Sequence, residues 1–219
     1  MTGLGWVVLV GGLPGDEAPL RRLEDALGAS GWPVVRASTD RWAVVDANAE
    51  QVAQTLRTHP GAVVVSLGRG GPETALALQD ADLQVAGWIN VHGFLRGLDH
   101  PRRHLASPRL SFSPYGPVIT RIPRATVASL RSDTLGARIW TLPDGLPVID
   151  VVVVPRRKSD PSIATQRTGG RRIDVAPSAL HQLDAMVLPL LEGEARALER
   201  ASWPVLDPPI ASPLFSMPD

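Results

Sequence analysis

Apolar runs long enough for a buried strand recur at Trp6–Val10, Val34–Ala37, Ala62–Leu67, Val85–Val91 and Val148–Val154, with a weaker one at Arg172–Ala176. Several are continuous rather than alternating, the pattern of strands covered on both faces. Between them the period changes. Leu20, Leu23 and Leu27 share one face of APLRRLEDALG, and Ala49, Val52, Ala53 and Leu56 follow i, i+3, i+4, i+7 in DANAEQVAQTLRTHPG. Such one-sided stripes mark helices that lie on a sheet. Asp46 is placed as the N-cap of the second helix and Pro60-Gly61 as its stop. Strand and helix alternate through short connections up to residue 91. The pattern predicts an α/β chain with a doubly wound, mainly parallel six-stranded sheet and right-handed crossovers.

The alternation breaks over 93–146, a stretch rich in proline and arginine with no convincing strand. A connection that long in a compact domain is functional or carries small elements of its own, so it is read as a lid-like insertion with a helix near Ala125–Leu135. The sheet then resumes at PVIDVVVV, and Ser178 is placed as the cap of a closing helix kinked at Pro189. Residues 202–219 are punctuated by proline and read as an extended tail on a single 1–219 domain.

Composition narrows the chemistry. The 22 basic and 22 acidic side chains balance, which gives no reason to expect nucleic acid or an anionic membrane as partner. No cysteine is present, so disulfides, thiolate metal sites and a cysteine nucleophile are excluded together. The apolar run near the start is far shorter than a membrane span needs, and a cytoplasmic protein is expected. GRGGPE lacks the last glycine of a dinucleotide fingerprint, and no phosphate-binding G-x-x-x-x-G-K-[ST] loop exists. His92, His100 and His104 gather around Asp99, but among neighbouring arginines and at spacings that fit no common zinc site. Neither a metal nor a cofactor is expected.

In a doubly wound sheet the ligand crevice opens at the carboxyl ends of the strands, where the strand order reverses. The loops VVLVGGLPGDE after the first strand and VVVSLGRGGPE after the third would meet there, which requires the spatial order 2-1-3-4-5-6. These two loops resemble those of the α/β-hydrolase superfamily, in particular its lipase- and esterase-like members. The likeness covers nearly the whole chain in element order. That family holds a serine in a sharp small-x-Ser-x-small turn between strand and helix.

Two registers of the turn compete. With Ser66 at the tip, bulky Val64 takes a small residue's place and Pro72 falls deep in the following helix. With Gly68 at the tip, small residues flank it and Pro72 falls in the first helical turn, where proline is tolerated. The second register is physically better, and it leaves the nucleophile's position without an oxygen. By the same resemblance Asp160 matches the family's acid, with Asp150 and Asp174 as alternatives, and His181 matches its histidine. Main-chain N–H groups near Leu13 and at Arg69, with Gly70 beside them, match the oxyanion site, and His92 and Phe94 lie where the lid begins. Plainer roles stand beside each of these, as a turn aspartate, a surface or core histidine and a glycine-rich helix start.

Three functions follow as expectations. One is a catalytically impaired relative that holds a small acyl, ester-like or anionic ligand, or a protein partner, in the former active-site crevice. Another is an active ester hydrolase that uses Ser66 with His181 and Asp160, or a lid serine such as Ser111 or Ser113. The third, an interaction module built on the insertion or the tail, rests on composition alone.

Overall fold

The computed structural model describes residues 5–11, 17–98, 123–138, 140–153, 168 and 170–192. Its centre is one six-stranded sheet in the order β2-β1-β3-β4-β5-β6. The strands are β1 (Val7–Val10), β2 (Val34–Arg36), β3 (Ala62–Leu67), β4 (Val85–Val91), β5 (Val148–Val153) and β6 (Arg171–Val175). Every neighbouring pair is parallel. The strand order is the one expected, and the sheet is parallel throughout. Such a sheet must be covered on both sides, which explains why all four residues of β1 are buried.

Alternate strand residues feed two cores. Val7, Leu9, Val65, Leu67, Ile89, Val91, Val151 and Val153 face α1 (Glu17–Ala29) and α6 (Leu183–Leu191). The stripe Leu20, Leu23 and Leu27 of α1 is buried there, and each such leucine contributes about 2 kcal/mol of transfer free energy. On the opposite face Val8, Val10, Val64, Trp88 and Val148 meet α2 (Val45–Thr58) and α3 (Gly70–Ala77). A third cluster joins Val45, Phe94, Leu98, Leu130 and Leu135. It packs the described part of the insertion, α4 (Arg124–Ser129) and α5 (Ser132–Leu135), against the start of α2.

Several local expectations shift. The helix expected over Ala125–Leu135 is two short ones, separated where Leu98 and Arg131 form an isolated bridge. Asp46 does not cap α2: Val44 holds the cap position without a side-chain bond, while Asp46 lies in the first turn and pairs with Arg138 at 2.8 Å. An anion there still suits the positive end of the helix. Nor does Ser178 cap the closing helix. A 3₁₀-helix over Pro177–Gln182 starts after Ala176 and runs into α6, which contains Pro189. The tail and residues 99–122, with Asp99, His100, His104, Ser111 and Ser113, lie outside the described residues.

Helix α3 lies so close to the sheet that a Cβ on Gly70 would sit 2.4 Å from the Val10 carbonyl oxygen. Gly70→Ala should therefore destabilise the protein by about 2 to 3 kcal/mol. Gly28, in α1, has nothing within 4 Å of its Cβ position, and Gly28→Ala should stabilise by about 0.5–1 kcal/mol through helix propensity. Urea unfolding of both variants reads the difference. Equal effects would contradict this placement of α3.

Candidate functional site at the turn after β3

At the carboxyl end of β3 the chain leaves Leu67, reverses at Gly68 with φ +57°, and enters α3 through Arg69. Glycine takes this left-handed conformation without the steric cost a side chain incurs. The Gly68 N–H donates to Val91 O at 3.0 Å, and the Gly71 N–H returns to Gly68 O at 3.2 Å. Pro72 is the third residue of α3, where its missing N–H has no helical partner to lose. The neighbouring strand ends in a similar reversal. His92, with φ +52°, is the one described non-glycine residue in the left-handed region, and its N–H donates to Val151 O at 2.7 Å. Gly93 follows, so closely packed that a Cβ on it would meet Asn90 Oδ1 at 2.1 Å.

Beneath the two turns runs a row of buried polar side chains. Ser66, Asn90 and Asp150 are register partners on β3, β4 and β5 and therefore share one face of the sheet. Trp88 Nε1–H donates to Ser66 Oγ at 2.8 Å, and Ser66 Oγ–H donates to Asn90 Oδ1 at 3.2 Å. Asn90 Nδ2–H donates to Asp150 Oδ1 at 2.9 Å. The other oxygen, Asp150 Oδ2, accepts from Thr168 N–H at 2.9 Å and from Thr168 Oγ1–H at 2.7 Å. All donors point towards the carboxyl group, so each bond polarises the next. Ser66 is fully buried, and its hydroxyl both accepts and donates within this row.

Arg69 also turns inward. Its guanidinium is fully buried, with Nη1 donating to Arg41 O at 2.6 Å and Nη2 to Ala43 O, and Nε lying 2.7 Å from Glu73 Oε1. The guanidinium charge is thus spent inside the fold. Local pattern carries no signal for this, because an arginine after a glycine turn reads equally well as a ligand contact. Phe94 is likewise buried, in the third cluster. Gly70 faces the end of β1.

Of the three acid candidates, Asp150 closes the polar row and Asp174 pairs with Arg172 at 2.5 Å on the same strand. The third, Asp160, lies outside the described residues, as does Leu13. His181 falls in the 3₁₀-helix directly after β6, with its side chain outside the described set. Asn90 was missed in the sequence. Its signal was a lone amide in the apolar run VAGWINV, in register with a serine and an aspartate. Among the described residues no group of three or more His, Asp or Glu could hold a metal ion, and no helix is long and apolar enough to cross a membrane.

No family model and no curated protein matches the chain. Solved structures do. An N-formylmaleamic acid deformylase from Pseudomonas putida S16 superposes with a TM-score of 0.56 at 13% identity, over 85% of this chain and 91% of its own. A structure from a study of carboxylesterases of the ammonia-oxidizing thaumarchaeon Nitrososphaera gargenis gives 0.56 at 11% identity, over 90% and 91%. An extracellular α/β-hydrolase from a Paenibacillus species gives 0.53 at 10% identity, over 86% and 98%.

The polar row makes its own prediction. Ser66→Ala leaves the Trp88 N–H without its acceptor and Asn90 Oδ1 without its donor, in a region closed to water. The variant should lose about 1–3 kcal/mol of stability, measured by urea unfolding. A neutral substitution would mean that the row is not intact in solution.

Proposed function

We propose, from the α/β-hydrolase fold that these likenesses show, that the chain is a binding protein built on a hydrolase scaffold whose nucleophile is missing. In this reading Gly68 occupies the nucleophile's position. The crevice at the carboxyl ends of β1, β3 and β4 then holds a small acyl, ester-like or anionic ligand. The observation that carries the reading is the left-handed Gly68 between strand and helix, together with the burial of Ser66 in the sheet two residues earlier. A glycine there preserves the turn and supplies no attacking oxygen.

The binding half of the reading rests on the start of α3. The Arg69 N–H and the N-terminus of an α-helix favour an anion or a polarised carbonyl oxygen, and His92 follows the neighbouring strand β4. Neighbours described as a deformylase and as carboxylesterases favour acyl compounds as the ligand class. Asp160 and His181 are the groups that would complete a triad if a hydroxyl were restored. Hydrolysis through Ser66 would require its side chain to leave both hydrogen-bond partners and the sheet interior, and it enters as an outcome of the test.

The parent protein should turn over p-nitrophenyl butyrate no faster than its His181→Ala variant, and a serine-directed fluorophosphonate should leave its mass unchanged. Stoichiometric labelling at Ser66 would establish the active-hydrolase alternative.

Gly68→Ser places a hydroxyl at the tip of the turn. It should cost about 1 kcal/mol of stability through the left-handed φ and bring new esterase turnover and phosphonate labelling. Adding His181→Ala should reduce that turnover about a hundredfold or more. A folded Gly68→Ser variant with neither turnover nor labelling would overturn the assignment of Gly68.

A further inference from the structure

The proposed function uses the main chain of Arg69 but not its side chain, which forms a buried ion pair with Glu73 one residue beyond the turn. Both side chains are fully buried. Glu73 Oε1 also accepts from Asn48 Nδ2–H at 2.7 Å, and Asn48 exchanges two further bonds with the main chain of Asp40, at 2.8 and 2.9 Å. The loop after β2 is thus held at Asp40, Arg41 and Ala43 by groups from α2 and α3. The residue between, Trp42, presents its carbonyl oxygen to the insertion, where it accepts from Thr126 Oγ1–H. Next along the chain, Val45 N–H reaches Ser129 Oγ at 3.4 Å. Arg138 pairs with Asp46 one residue later.

A buried arginine bridging two carbonyls and a carboxylate fixes the 41–43 loop against the start of α3, because its planar fork allows little alternative geometry. Taking both charges out of water is costly, so the pair is poor evidence of stability for its own sake. We infer that the Arg69–Glu73 pair is a positioning device: it sets the 40–43 loop against the turn after β3, and through Trp42 O it docks the insertion at α4 and α5. The shape of the crevice rim and the docking of the insertion are then one coupled arrangement. This inference does not depend on whether the crevice binds or hydrolyses.

Amide hydrogen exchange on the full chain, followed by mass spectrometry of peptides, separates this role from general stabilisation. In Arg69→Met, amides of 41–45 and 124–138 should exchange about tenfold faster or more, while those of β3 and β5 stay within about twofold of the parent. Thr126→Val removes the bond to Trp42 O without stranding a charge, and should loosen 124–135 while leaving 41–43 as in the parent. If Arg69→Met does not fold, Glu73→Gln, which keeps the shape and an acceptor for Asn48, should give the Arg69→Met pattern at smaller amplitude. Parent-like exchange over 124–138 in the folded arginine variant would overturn the inference. So would an equal rise across the whole sheet in that variant or in Glu73→Gln.

Discussion

Burying a carboxyl group inside a sheet covered on both faces costs several kcal/mol unless its oxygens are met, and the way Asp150 is satisfied organises much of the upper half of this molecule. Its two oxygens take three donors, one from Asn90 and two from Thr168. Asn90 is thereby oriented with its oxygen towards Ser66 and beneath Gly93. That orientation commits the Ser66 hydroxyl, leaves no room for a side chain at Gly93, and pins the residue that leads into β6. Three strands and the approaches to two turns are registered by one group of side chains.

Above this row the two reversals at Gly68 and His92 share the cost differently. Glycine meets the left-handed conformation at little steric cost, whereas His92 bears strain of the order of 1 kcal/mol. Gly93 follows immediately, so a small change of register would have moved the conformation onto glycine; instead it falls on the imidazole. Strain of this kind persists where surrounding structure over-determines it, here through the His92 N–H bond to Val151 O. The second buried charge centre, Arg69 with Glu73, lies on the far side of the same turn and faces the α2 loop. The turn is therefore braced from both sides, by the polar row beneath and by the ion pair beside it.

A scaffold braced in this way keeps its shape whether or not a nucleophile stands at its tip, and this is why fold alone does not decide activity. The structural neighbours superpose with TM-scores of 0.53–0.56 at identities of 10–13%. Within that frame the turn after β3 carries a glycine in the left-handed conformation, a serine buried in the sheet and an arginine whose side chain turns inward.

The sequence by itself determined the sheet, its parallel sense and its strand order, because continuous apolar runs and period-3.6 stripes report burial directly and short crossovers leave few topologies. The place of Pro72 in the first turn of α3 was also legible, since it is a local steric fact. Only the tertiary structure decided where polar side chains spend their bonds. Asn90, Ser66 and Asp150 are far apart along the chain and meet through strand register, and Arg69 finds its carbonyl partners 26 and 28 residues away. Capping failed to be legible for the same reason. Asp46 has the residue type of a local cap, but the helix begins one residue earlier, at Val45, and leaves Asp46 in its first turn, where it meets Arg138, 92 residues distant. Local pattern fixes which face is buried, and the pairing of polar groups within that face is settled by segments brought together only on folding.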